Sequence, residues 1–195
     1  MKIDTSIIKQ LREETGLGVM DCKKALDEAA GDINKAKALL KHRGLEIVAK
    51  KSGRTANDGI IASYIHTGGK IGVLVEINCE TDFVARNELF QAFAKNICLQ
   101  IVASNPSCIK IEEISEATLA EAKTVWEKEL KDKTGTGREK ALEGKLAEFY
   151  RAHALLSQAF IREPEKTIQD YLNEVTARIG EKITIRRFVR WGLGT

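Results

Sequence analysis

The stretch that decides the fold is GIIASYIHTGGKIGVLVEINCETDFVAR, residues 59–86. Two runs rich in β-branched and aromatic residues, GIIASYIHT and KIGVLVEIN, flank Gly68 and Gly69. A glycine pair supplies the positive φ of a tight turn, so the two runs are predicted to form a β-hairpin. The second run ends in Asn78, Cys79, Glu80, Thr81 and Asp82, and Phe83 and Val84 follow. Residues 85–103 then place Leu89, Phe90, Phe93, Ile97 and Ile101 on one face of a helix. An acid and an aromatic therefore stand side by side at a strand-to-helix turn. Asp82 reads as a helix N-cap. Phe83 reads as a core residue opening the helix.

Before the hairpin, residues 1–44 read as three short helices. Asp4, Thr5 or Ser6 caps the first, whose stripe is Ile7, Ile8 and Leu11. TGLG, residues 15–18, stops it. The second helix covers about 20–30, with Met20, Cys22, Ala25, Leu26 and Ala29 as inner positions. Asp32 caps the third, which turns Ile33, Ala36, Leu39 and Leu40 inward and ends at Gly44. The basic, polar segment 45–58 reads as a linker. Three helices in so short a span make a marginal core that leans on something else.

After the hairpin and its helix, SNPS breaks the chain. Two charged helices follow, 115–131 with Leu119, Ala122, Trp126 and Leu130, and 138–150 with Ala141, Leu142, Lys145, Leu146 and Phe149. DKTGTG between them, residues 132–137, makes the pair a helical hairpin at about 115–150. REPEKT opens another helix, with Pro164 near its N-terminus, running to about Arg178. EKITIRRFVRW closes the chain as a third strand. The fold class predicted is α+β: an N-terminal three-helix module, a three-stranded antiparallel sheet covered by helices on one face, and a helical hairpin. Two domains are expected, 1–54 with its basic linker and 55–195 as the α+β core.

Net charge is +3 from 31 basic and 28 acidic residues, and aromatics are only 6%. Neither suggests a base-stacking RNA module. The charge is unevenly spread, with residues 1–54 holding 12 Lys/Arg against 8 Asp/Glu and residues 178–191 holding 5 against 1. RRFVR in the last strand thus favours a second class, an RNA- or ribosome-binding protein, which a steep salt dependence of RNA binding would reveal. The four cysteines contain no C-x-x-C pair, so reduced buried thiols are expected and no metal is assigned. No H-E-x-x-H or G-x-S-x-G occurs, and TGGKIG lacks the spacing of a phosphate-binding loop. No enzyme chemistry, cofactor or direct nucleotide site is therefore assigned. With no signal peptide and no apolar run of 18 residues, a reducing compartment and no membrane are expected. The chain reads as a protein that binds another protein.

Two motifs sharpen that reading. LREETGLGVMDCKKAL, residues 11–26, and EINCETDFVAR, residues 76–86, resemble the two signatures of the translation elongation factor Ts family. The likeness extends through EPEKTIQDYLNEV and ITIRRF near the C-terminus. It implies a guanine-nucleotide exchange factor for elongation factor Tu, without enzymatic chemistry. It implies that Thr81, Asp82, Phe83 and Val84 form a turn presented to the partner's G domain, with Phe83 as a wedge and Asp82 fixing the approach. The N-terminal module resembles a ubiquitin-associated-type fold, from which Arg12, Val19, Met20 and Lys23 would touch the same partner. His66 lies in a stretch similar to one that carries a partner-contacting histidine. Long members of the family carry two copies of the core β-unit, whereas this chain has one. The short members associate through the sheet region, so the resemblance implies a homodimer binding two partner molecules. Bacterial cytoplasm is the implied location, and a plastid stroma also fits.

Overall fold

Caps and apolar stripes place the first three helices. The structure is a computed structural model that describes residues 4–131 and 134–194. Its first helices are α1 at Thr5–Thr15, α2 at Val19–Glu28 and α3 at Ile33–Lys51. Asp4 starts α1 by accepting the Ser6 amide, and Asp32 starts α3 by accepting those of Asn34 and Lys35. These caps satisfy amides that have no partner inside the helix. The same amide bonds, from Ser6 and Lys35, hold the two carboxyls below their usual range. Gly16 ends α1 at φ 66°, a conformation that glycine adopts without a side-chain clash. Ile8, Leu11, Cys22, Ala25, Leu26, Ala29, Ala36 and Leu40 are buried together, with Ile7, Leu17, Ile33 and Leu39 packed against them.

The hairpin forms as predicted. Strands β1 at Asp58–Ile65 and β2 at Ile71–Cys79 join through Gly68 and Gly69, both at positive φ. The His66 amide donates to the Ile71 carbonyl at 2.8 Å. Val73, Val75 and Ile77 are buried while Leu74 between them is exposed, the mark of a sheet covered on one face. The last strand, β5 at Thr184–Gly192, pairs beside β2 to complete an antiparallel sheet of order β1-β2-β5. After β2 come the one-turn helix α4 at Asp82–Ala85 and the long helix α5 at Glu88–Ser104. Phe90, Phe93, Ile97 and Ile101 of α5 are buried.

The expected helical hairpin is present as α6 at Glu116–Glu129 and α7 at Gly135–His153. Trp126 meets Phe149 edge-on at 5.6 Å, and Lys145 pairs with Glu129. Neither helix has a fully buried residue of its own. The turn predicted from 132 starts at Asp132 and Lys133, which lie outside the described residues. Gly135 and Gly137, read as part of that turn, instead belong to α7.

Three further boundaries differ. Helix α3 does not stop at Gly44 but runs on to Lys51, through residues read as linker. Gly44 is there for close approach, since a Cβ on it would stand 3.3 Å from that of Ala177. The helix predicted over 85–103 is two helices, broken where the Asn87 side chain caps α5 by accepting the Leu89 amide at 2.8 Å. REPEKT is not helical. Glu163–Thr167 is strand β4, paired antiparallel with β3 at Ala159–Phe160. The position before Pro164 is pushed toward extended backbone. The true start is at Thr167, where the Thr167 hydroxyl accepts the Asp170 amide and Asp170 accepts the Thr167 amide and hydroxyl. Helix α8 then covers Ile168–Ile179.

By contact the chain forms two compact units. One contains the chain through Gly59 with Asn78–Phe90 and Leu172–Thr184; the other contains Ile60–Ile77, Gln91–Tyr171 and the chain from Ile185. In the second, Tyr171 stacks on Phe160 at 4.5 Å, lies 5.1 Å from Phe93, and accepts a bond from Asn96 through its hydroxyl. In the first, Leu26 is fully buried at the centre of the three helices. Leu26→Ala is expected to destabilise the chain by about 2–5 kcal/mol, read as a lowered urea midpoint; a midpoint unchanged from the native chain would show that this core contributes little.

Candidate partner-binding surface

A helix of one turn has no stability of its own, because nucleation costs more than one turn returns. The four residues of α4 are therefore held from outside. Thr81 is the N-cap, its hydroxyl accepting the Val84 amide at 3.4 Å while donating to the Glu181 carboxylate at 2.9 Å. The other Glu181 oxygen accepts the amides of Glu80 and Thr81 at 3.2 and 3.1 Å. The Cys79 thiol donates to the Thr81 carbonyl at 3.1 Å. Burial, with smaller help from Asp58 and Glu181, pushes that thiol up to about 11, so it stays a protonated donor at neutral pH.

Glu80 is bound in turn. Its carboxylate accepts the Lys182 amide at 2.7 Å and Arg54 at 3.0 Å. The Lys182 amide bond, aided by Arg54, holds the Glu80 carboxyl below its usual range. The Lys182 ammonium donates to the carbonyls of Ser52 and Arg54, both at 2.7 Å, just beyond the end of α3. The turn, the end of α3 and the loop after α8 are thus bonded together within one compact unit.

On this base Phe83 is 78% exposed, which excludes the core reading. Asp82 is not the N-cap but the first residue of α4, and its carboxylate pairs with Arg86 at 2.7 Å on an exposed surface. Val84 is half-buried and Ala85 buried. Met20, read as an inner position, is instead 62% exposed. Arg12, Val19 and Lys23 are exposed as well, and all four belong to the same compact unit as the turn. His66 belongs to the other unit, exposed at the hairpin turn with its Nδ1 3.5 Å from the Tyr64 hydroxyl. The residues that sequence reasoning missed are Cys79, Glu80, Glu181 and Lys182. Glu181 sits 100 positions from Thr81, and no local pattern marks it.

An exposed aromatic stands on a braced turn, beside an acid and with further exposed apolar and basic groups on the same unit, the residue types found in protein-binding surfaces. Among the described residues, no group of three His, Cys, Asp or Glu is placed to hold a metal ion, and no helix is long and apolar enough to cross a membrane.

Comparison with known proteins narrows the class. Residues 33–195 match the family model described as Elongation factor TS. The chain is 50% identical over 194 residues to elongation factor Ts of Caldanaerobacter subterraneus subsp. tengcongensis, covering 98% of this chain and 97% of that protein. It is 46% identical over 197 residues to elongation factor Ts of Syntrophobacter fumaroxidans, covering 100% and 98%. It is 46% identical over 196 residues to that of Coprothermobacter proteolyticus, covering all of both. The chain belongs to the elongation factor Ts family. Membership carries that family's general role, nucleotide exchange on elongation factor Tu rather than catalysis, at the elongation step of protein biosynthesis.

Because the thiolate is the nucleophile, a raised pKa protects a thiol at moderate pH. Burial also pushes Cys98 up to about 11. In the native protein at pH 8, iodoacetamide should leave Cys79 and Cys98 unmodified until denaturant is added, as read by mass spectrometry of the peptides. Rapid native-state labelling of Cys79 would mean that the base of the turn is open.

Proposed function

We propose that the chain releases GDP from elongation factor Tu by inserting Phe83 into an apolar cleft between helices of the G domain. Asp82 exchanges its bond with Arg86 for polar groups beside that cleft. Thr81 and Val84 shape the turn. The wedge displaces elements that hold Mg²⁺ and the nucleotide phosphates; GDP leaves, and the empty partner is held until GTP binds. The observation that carries this reading is a phenylalanine kept in water on a turn whose every neighbour is bonded in place. A rigid aromatic supplies a large apolar area at little rotamer cost.

Exchange requires tighter binding to the empty partner than to the loaded one, and the coupling is reciprocal. A shift of ~10⁴ takes about 5.5 kcal/mol of differential contact, while one aromatic anchor contributes roughly 2–4 kcal/mol. A second surface supplies the rest: Arg12, Val19, Met20 and Lys23 on the module of residues 1–54, with His66 as a further contact. The alternative, an RNA- or ribosome-binding protein, would use the arginines of the last strand, of which Arg186 and Arg187 share the Glu76 carboxylate at 3.5 and 2.6 Å.

Residues 55–195 serve as core and dimerisation domain, with the helical hairpin at about 115–150 as part of it. The open sheet face supports a homodimer, since Ile61 at 69%, Ile65 at 66% and Trp191 at 56% exposure leave large apolar groups in water. The site of action is the bacterial cytoplasm.

Release of a fluorescent GDP from elongation factor Tu tests the wedge. Phe83→Ala should slow the accelerated release about 30-fold or more, the rate equivalent of roughly 2 kcal/mol, without lowering the melting temperature. Release at the native rate would remove Phe83 from the mechanism. Sedimentation tests the dimer: the native chain should run at twice its 21.6 kDa mass, and Trp191→Glu should shift it toward that of one chain. A native chain that sediments as a monomer at micromolar concentration would refute the assembly.

A further inference from the structure

Residues 177–182 reach three separate segments of one compact unit. Ala177 lies where Gly44 lets α3 come close, as described above. Arg178 lies over Gly16, where an added Cβ would stand 2.5 Å from the guanidinium carbon. Gly180, at φ 79°, closes α8 with its amide on the Thr176 carbonyl at 2.8 Å and turns the chain outward. Glu181 and Lys182 follow at once, the first on Glu80 and Thr81, the second on Glu80, Ser52 and Arg54. The bracket thus adjoins the loop that leads into Val19 and Met20 and also the turn that leads into Asp82 and Phe83.

We propose that Glu181 is a positioning residue for nucleotide exchange, whose carboxylate, anchored at the end of α8, locks the 81–84 turn in the geometry that meets elongation factor Tu. This rests on the reading that the turn enters the partner. The chemistry suits a carboxylate alone. Three donors converge on it, the Glu80 amide, the Thr81 amide and the Thr81 hydroxyl. A charged acceptor with two oxygens binds all three strongly. By drawing the hydroxyl proton to itself, Glu181 leaves the Thr81 oxygen free to accept the Val84 amide and close α4. Glutamine keeps one acceptor oxygen and puts an N–H₂ where the other stood, facing either the two amides or the Thr81 hydroxyl. Alanine keeps none. Without the lock the turn still exists as sequence, but its docked geometry must be found anew at each encounter, and the loss appears in the rate of the bound step.

A residue that merely stabilised the fold would not act through Phe83, and this separates the two roles. Fluorescent GDP release from elongation factor Tu is followed against factor concentration for the native chain, Phe83→Ala, Glu181→Ala, Glu181→Gln and the double variant Glu181→Ala/Phe83→Ala. Hydrogen exchange of the Glu80 and Thr81 amides is measured on each free protein. Glu181→Ala should lower the maximal rate about tenfold or more while the half-saturating concentration moves much less. Glu181→Gln should fall between, and it carries the test if the alanine variant does not fold. The double variant should be no slower than Phe83→Ala, the non-additivity of two residues acting as a unit. Both amides should lose protection in the Glu181 variants and keep it in Phe83→Ala. A native maximal rate in Glu181→Ala, multiplied losses in the double variant, or unchanged amide protection would each overturn the proposal. Phe83→Ala at the native rate would instead sink the wedge reading. If Glu181→Ala were slow in that same experiment, both the wedge and the positioning role would fall.

Discussion

The constraint on which the site depends is that four residues of helix cannot hold themselves. Helix α4 has one turn, and its leading amides would be free without outside acceptors. The Thr81 hydroxyl accepts one of them, from Val84, Glu181 holds that hydroxyl and the Glu80 and Thr81 amides just ahead of the helix, and Cys79 and Ala85 are the residues that go inward. The position of Phe83 then follows. Two residues along a helix is a rotation of about 200°, so burying Ala85 turns Phe83 to water. The exposure of the aromatic is therefore a consequence of which neighbour is small and buried, not of any polar character in Phe83.

The same logic sets Met20 outside. Cys22, Ala25 and Leu26 of α2 are buried to the last, and the core of three short helices is filled by them with Ile8, Leu11, Ala36 and Leu40. A core this small has room for alanine and cysteine at the closest approaches, and a methionine at the first turn of α2 falls beyond its edge. Flexible and polarisable, methionine adapts to an irregular partner surface. One compact unit thus offers a stiff aromatic on a locked turn and an adaptable thioether on a helix start.

Much of the fold was legible because its signals are local. The Gly68–Gly69 turn lies between two β-rich runs, Asp4 and Asp32 stand one residue ahead of their helices, and Leu89 to Ile101 repeats at the helical period. The misreadings share a cause. Gly44 reads as a stop because glycine often is one, yet what requires it is Ala177, far away in sequence. Pro164 reads as a helix start, although the T-x-x-D run from Thr167 to Asp170 marks the real one three residues later. Of the site, the residues with a surface role were in recognisable motifs. Those that hold them were not.

That division has a physical basis. A residue that meets a partner must be of a special type at a special local turn, and both leave a mark in the sequence. A residue that holds the turn need only bring the right atoms to the right place, and any part of the chain can do so. Glu181 and Lys182 come from the loop after α8, Arg54 from beyond α3, and Cys79 from the end of β2. Each is ordinary where it stands. Their bonds interlock: Glu181 takes the amide of Glu80, while Glu80 takes the amide of Lys182. Because each carboxylate binds the backbone of the other's loop, neither loop can shift without breaking charge-assisted bonds on both sides. The turn that carries Phe83 is thereby fixed by tertiary structure, which only the folded chain possesses.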